Sequence, residues 1–247
     1  MRGMILAAGI GTRLLPITER IPKCMVDVAG KPLIYHQLQW FKANGINEVA
    51  INLFHLPEPI TSYVGDGSRF GVRVTYSPEK EILGTAGGVK AMAHFFQGTF
   101  VVFYGDNFTD LCIDQMLIFH RKNRAAATLF IKPVGSKISS IIQMNSTQKI
   151  VRFVEKPSPD EVRSVSGTLY SSNGIYILEP KILEFIPFGT MFDFGKDLFP
   201  NLIDREAIYG FLEPKAFWRE LGTLERYTTG KKDIEEILQQ RSAQVVP

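Results

Sequence analysis

The stretch whose reading decides the fold runs Leu6-Ala-Ala-Gly-Ile-Gly-Thr-Arg-Leu-Leu-Pro-Ile-Thr-Glu-Arg-Ile-Pro-Lys23. It follows the apolar residues Met4 to Ala7, a short strand that gives way to Gly9 and Gly11. Glycine lacks a Cβ, so the backbone amides beside it approach an anion closely. Arg13 and Lys23 add positive charge within the same excursion. Glycines, free amides and two cations at this spacing describe a cradle for a polyphosphate. Two common phosphate motifs do not fit. The P-loop requires Gly-x-x-x-x-Gly-Lys followed by Ser or Thr, which is absent. The dinucleotide fingerprint requires a third glycine where Leu14 stands. Pro16 disfavours an immediate long helix, so the spacing predicts a functional loop of about fifteen residues.

Outward from this loop, apolar runs alternate with helical patterns. Residues 48–53, 72–76, 100–104 and 126–133 are expected as strands. Residues 33–43 are expected as a helix stopped by Gly45, and 60–64, 87–95 and 113–121 as further helices. This alternation predicts a mostly parallel sheet with helices on both faces. Beyond residue 130 the strand-like runs 141–144, 150–155, 168–178 and 208–212 crowd together, which predicts a mixed sheet and a lid-like insertion. Residues 223–240 are expected as a closing helix and 241–247 as a frayed tail.

The 247 residues allow one large or two small domains. No repeat or linker divides them, so a single domain is expected. The 28 Lys and Arg against 25 Asp and Glu give +3 with no basic stripe, which argues against a nucleic-acid partner. No apolar run approaches the roughly 18 residues of a membrane span. Cys24 and Cys112 are too few for a disulfide framework or a four-cysteine zinc site. Five apolar residues before the first loop glycine form a strand and not a secretory leader, so a cytoplasmic location is expected. His36, His55, His94 and His120 lack carboxylate or cysteine neighbours at metal-ligand spacing.

The run Gly-x-Gly-Thr-Arg-Leu-x-Pro at 9–16, followed by Pro22-Lys23, resembles the signature of the sugar-1-phosphate nucleotidyltransferases, with Ala8 in place of the usual first glycine. The resemblance continues to about Tyr227 and implies a nucleotide-binding half at 1–130 and a sugar-binding half at 131–222. It implies the nucleotide-diphospho-sugar transferase fold: α/β, with a Rossmann-like, mixed, mostly parallel sheet, helices on both faces and a small β-rich insertion on the sugar side. It implies nucleotide contacts from Leu6, Ala7, Ala8, Gly9, Gly11, Thr12 and Arg13. The chain stops soon after the closing helix, so no left-handed β-helix extension is expected.

Tyr104-Gly105-Asp106 closes an apolar strand, and ligands bind at such carboxyl ends. A carboxylate facing a phosphate cradle suits Mg²⁺, which prefers one or two carboxylates plus substrate phosphates. The resemblance makes Asp106 a metal ligand that also touches the nucleotide, with Gly105 on the sugar side. The family's second metal carboxylate sits in Trp-x-Asp-Ile/Val-Gly-Thr. Here the motif is Trp218-Arg-Glu-Leu-Gly-Thr223, with Glu220 one methylene longer than the usual aspartate.

Glu155-Lys156-Pro157 matches a tripeptide at the family's sugar site. Glu155 accepts hydrogen bonds from sugar hydroxyls there, and Lys156 holds the sugar phosphate. Asn173, in Asn-Gly-Ile-Tyr, is expected to face the sugar. Leu83-Gly-Thr-Ala-Gly87 resembles guanylyltransferases acting on mannose 1-phosphate, placing Gly84 and Thr85 at the base. Gly105-Asp-Asn107 also occurs in thymidylyltransferases.

The expected activity is Mg²⁺-dependent transfer of a nucleotidyl group from an NTP, GTP favoured, to a sugar 1-phosphate. Arg13, Lys23 and Lys156 are the expected catalytic cations. Use of dTTP, UTP or CTP, a pseudo-sugar phosphate acceptor, and a non-catalytic regulatory subunit stay open, as does a homo-oligomer.

Overall fold

The computed structural model describes residues 1–134 and 138–244, with side chains through 241. The strand Arg2–Leu6 lies at the centre of a nine-stranded mixed, mostly parallel sheet. It pairs in parallel with Glu48–Leu53 on one side and Phe100–Tyr104 on the other, so Ile5 stands opposite both Ile51 and Phe103. Arg73–Pro78 extends the parallel block beyond Glu48–Leu53. Both faces of the three central strands are covered, which is why residues 4–6, 49–51 and 100–103 are apolar. Met4, Ala50 and Val102 pack with Ala86 and Val89 on one face. Ile5, Ile51 and Phe103 pack with Leu38 and Phe41 on the other.

The helix Leu33–Ala43 and the strands Glu48–Leu53 and Phe100–Tyr104 keep the bounds the sequence predicts. The expected helix 87–95 is instead Gly84–Ala91 followed by a separate 3-10 turn, Ala93–Phe95. Its early start has a tertiary cause: Phe192 O accepts from both Ala86 N and Gly87 N at 2.9 Å. The expected helix 60–64 starts earlier, as Pro57–Val64. The strand expected at 72–76 is Arg73–Pro78. The tail expected to fray from 241 continues the helix Leu224–Gln244. An ion pair of Arg241 with Asp110 ties that last turn down, and 245–247 lie outside the described residues.

The crowded strands after residue 130 continue the same sheet. Tyr170–Leu178 runs antiparallel to Phe100–Tyr104 on one edge and to Ala127–Pro133 on the other, where the register shifts between Ser172 and Tyr176. Ser140–Met144 and Ile150–Glu155 form an antiparallel pair beyond, and Ile208–Leu212 joins Ala127–Pro133 in parallel. A short ribbon pairs Asn107–Thr109 with Trp218–Glu220 and sets Glu220 opposite Asn107. That register brings a late carboxylate beside Asp106. No helix among the described residues is long and apolar enough to cross a membrane.

Candidate active site

A cleft of about 250 Å³ opens at the carboxyl ends of the parallel strands, the position where open α/β sheets bind ligands. Leu6, Ala7, Ala8, Gly9 and Lys23 form one wall, from the stretch that opens the sequence reading. The loop is anchored and not open coil. Leu14 is fully buried in a cluster with Val26, Leu33 and Leu221. The loop turns through three 3-10 segments, Thr12–Leu14, Ile17–Glu19 and Lys23–Met25. Thr18 Oγ1 donates to Gly11 O at 2.8 Å and closes the first turn on the second. With Leu14 pulled inward, its neighbour Arg13 points out and leaves 64% of its side chain exposed.

Gly105 and Asp106 form the wall facing the loop. Gly105 N donates to Leu6 O at 3.0 Å. A Cβ at Gly105 would lie 2.5 Å from that same oxygen, so only glycine lets the two strands meet here. Lys23 Nζ is ion-paired with Asp106. Glu220 pairs with Arg226 of the closing helix and, at 3.9 Å, with Arg13. A Cβ built on Gly222 would lie 2.0 Å from Glu220 Oε1 and 3.1 Å from Asp106 Oδ2. The two carboxylate oxygens are therefore no more than about 5 Å apart.

Of the nucleotide-side residues expected from sequence, Gly84 and Thr85 also line the cleft, whereas Gly11, Thr12 and Arg13 do not. Thr85 is already engaged. Its N and Oγ1 donate to Asp193 Oδ1 at 2.9 and 3.0 Å, and its Oγ1 accepts from Phe194 N at 2.9 Å. Glu155 and Lys156 lie beyond the lining, at the end of Ile150–Glu155. Burial pushes the Glu155 carboxyl up to about 7; Lys156 and Arg13 oppose that rise and Asp193 adds to it. Lys156 holds a left-handed backbone, φ 50°.

Asn173, expected to face the sugar, is 2% exposed and does not line the cleft. Its carbonyl accepts from Asn107 Nδ2 at 2.6 Å and Trp218 Nε1 at 2.9 Å, while its own Nδ2 has no partner. Cys24 is buried, and burial pushes its thiol up to about 12, so it is no nucleophile at neutral pH.

Sequence reasoning missed Asn52, Glu79, Tyr104, Met191 and Asp193, all in the cleft wall. Asn52 was findable: an amide near the carboxyl end of an otherwise apolar strand is a buried polar group that needs a reason. It accepts from Ala7 N at 2.7 Å and donates to Glu79 Oε1 at 2.7 Å, and Glu79 Oε2 accepts from Leu83 N at 3.0 Å. This relay fixes the loop's first amide against the segment leading into Gly84. Burial pushes the Glu79 carboxyl up. Asp193 carries no local signal.

A family model described as nucleotidyl transferase matches residues 2–237. A Synechocystis sp. protein named UTP–glucose-1-phosphate uridylyltransferase is 37% identical over 92% of this chain and 61% of its own length. A Mycobacterium tuberculosis mannose-1-phosphate guanylyltransferase is 32% identical over 94% of this chain and 64% of its own. The chain thus spans about three fifths of the length of these curated relatives. Among solved structures, HddC from Yersinia pseudotuberculosis complexed with GMP-PN superposes with TM-score 0.78 at 25% identity, over 94% of this chain and 98% of that one. A putative glucose-1-phosphate thymidylyltransferase from Bacillus anthracis, TM-score 0.80 at 24% identity over 95% of each chain, shares the fold.

Proposed function

Because the chain belongs to the nucleotidyl transferase family, we propose that it transfers a nucleotidyl group from an NTP to a sugar 1-phosphate and releases pyrophosphate. The observation that carries this reading is the Lys23–Asp106 pair, which joins the glycine-loop wall to the facing wall of one cleft. A cation, an acid and free loop amides are what a triphosphate needs to be held and its charge balanced.

In this reading an oxygen of the sugar 1-phosphate attacks the α-phosphorus of the NTP. The bond from that phosphorus to the departing pyrophosphate breaks in line. A phosphate oxyanion is already a nucleophile, so no general base is required, and catalysis is positioning plus charge stabilisation. The amides at Ala8 and Gly9 and the Arg13 guanidinium hold the leaving pyrophosphate. Lys23 exchanges Asp106 for a phosphate oxygen as substrate enters. Lys156 holds the attacking phosphate, and Glu155 accepts from the sugar.

The donor set also fits a divalent cation. Asp106 and Glu220 offer carboxylates within about 5 Å, and Lys23, Arg13 and Arg226 now balance their charge. Magnesium is usually held by one or two carboxylates together with substrate phosphates. Such an ion, held by Asp106 and Glu220, would neutralise phosphate charge.

For the base, Glu79 favours guanine. Each Glu79 oxygen already has one donor in place and keeps further acceptor capacity. Guanine offers adjacent N1–H and N2–H₂ donors to a carboxylate, whereas uracil and thymine flank their single N3–H with acceptors. The neighbour complexed with GMP-PN supports the same choice. The 37%-identical uridylyltransferase favours UTP as a second reading. Pyrophosphate release, measured with GTP, UTP, dTTP, CTP and ATP against mannose and glucose 1-phosphates, separates them. GTP leading identifies guanine, UTP leading replaces it with uracil, and silence in every pairing removes nucleotidyl transfer to mannose or glucose 1-phosphate.

A further inference from the structure

The segment 190–195 crosses from the base side of the cleft to the sugar side. At one end its backbone is fastened to the start of the helix Gly84–Ala91. Phe192 N donates to Leu83 O at 2.8 Å, and Phe192 O accepts from Ala86 N and Gly87 N. At the other end Gly195 lies against Glu155, where a Cβ would stand 2.7 Å from Glu155 Oε2. Glycine at 195 is therefore what allows this close approach. Between the two ends, Asp193 lines the cleft. Both donors of Thr85 converge on its Oδ1, and among the described residues its Oδ2 receives no hydrogen bond.

A fixed carboxylate in a cleft that must admit two phosphate-bearing substrates needs a cation or hydrogen-bond donors to meet it. Asp193 is not joined by a second carboxylate beside Gly84 as Asp106 is by Glu220 beside Gly222. Phosphates bring no donors, and a sugar ring brings several. We propose that Asp193 is a specificity-determining residue, whose free carboxylate oxygen accepts a ring hydroxyl of the sugar 1-phosphate alongside Glu155. This inference rests on the nucleotidyl-transfer reading. It adds that one side chain joins the two substrate ends: its Oδ1 orders the base-side helix and its Oδ2 serves the sugar. The charges facing Glu155 are Lys156 from its own strand, Arg13 from the loop and Asp193 from this segment, with the Tyr104 and Tyr176 hydroxyls also near.

Asp193→Asn separates the two duties. The amide oxygen still accepts from Thr85, while the second oxygen becomes a donor. Asp193→Ser, a side chain that also caps helices, serves as the second variant. Binding of mannose 1-phosphate, glucose 1-phosphate and GTP is measured by calorimetry, and the Glu155 carboxyl is titrated by ¹³C NMR. The expected result is sugar 1-phosphate binding weakened about ten- to a hundredfold, the range for a hydrogen bond to a charged group. GTP binding stays within about twofold, and Glu155 titrates at lower pH once the neighbouring negative charge is gone. Unchanged sugar binding, or equal loss of sugar and GTP binding in both variants, leaves Asp193 as a helix cap only and overturns the proposal. Binding is read without turnover, so a wild-type protein that binds sugar 1-phosphate but releases no pyrophosphate fails the transfer reading alone. One that binds neither sugar 1-phosphate overturns both.

Discussion

Lys23 and Asp106, 83 positions apart in the chain, are ion-paired inside the cleft. The pair joins the end of the loop to the end of the strand Phe100–Tyr104, and Glu220 reaches the same point beside Gly222. Two acids and a lysine at one point form a site whose charge balance changes when phosphate and a divalent cation arrive together.

That relationship sets the first prediction. Asp106→Asn should abolish Mn²⁺ binding, followed by electron paramagnetic resonance without turnover, in the presence of a non-hydrolysable triphosphate. Glu220→Gln should weaken it by about tenfold, a loss of about 1.4 kcal/mol. An unchanged titration for Glu220→Gln removes that residue from the metal site.

Arg13 has little structural work to do. Its side chain is 64% exposed and its contact with Glu220 spans 3.9 Å, a surface pair of about 0–1 kcal/mol. Arg13→Ala should therefore leave the thermal midpoint nearly unchanged while kcat falls about a hundred- to a thousandfold, the loss typical of one donor aimed at developing anionic charge. Steady-state kinetics beside a melting curve tests both halves.

Gln37 is 1% exposed, and its Nε2 donates to Tyr104 O at 3.0 Å and to Asn107 O at 2.8 Å. One amide thus spans the turn that carries Gly105 and Asp106. Gln37→Leu strands both carbonyls and should cost about 1–3 kcal/mol, read by urea unfolding with the slope unchanged. Loss of the clasp should also weaken Mn²⁺ binding through Asp106.

Glu155 gives a pH dependence with a definite sign. Its carboxyl is raised to about 7 in the fold, chiefly by burial, against an ordinary value near about 4.3. Well below pH 4, the carboxyl is protonated folded or unfolded and exerts no effect. Between about pH 4.3 and 7 the unfolded chain ionises first, so folding stability falls as pH rises, then levels off above 7. Glu155→Gln should accordingly raise the thermal midpoint at pH 8 and leave it nearly unchanged at about pH 3.

The legible elements are those specified by local pattern. The helix Leu33–Ala43 has its apolar stripe and Gly45 as a stop, and Glu48–Leu53 and Phe100–Tyr104 are apolar because helices cover both faces. The long loop after the first strand was legible as a loop, since Gly9, Gly11 and Pro16 oppose a regular helix there. What stayed hidden depends on partners far along the chain. The helix start at Gly84 is secured by Phe192 and by Asp193, which lies 108 positions from Thr85. Trp218–Glu220 is a strand of three residues, defined only by its pairing with Asn107–Thr109. Glu79 is half-buried through a relay starting at Ala7, which its neighbours in sequence do not announce.

The most direct test of nucleotidyl transfer follows the label. Wild-type protein is incubated with mannose 1-phosphate, Mg²⁺ and GTP carrying ³²P at the α position, and separately with GTP carrying it at the γ position. Attack at the α-phosphorus predicts that α-label appears in a nucleotide sugar and γ-label in pyrophosphate. Label from the γ position in inorganic phosphate or in the sugar, with none in pyrophosphate, would contradict attack at the α-phosphorus.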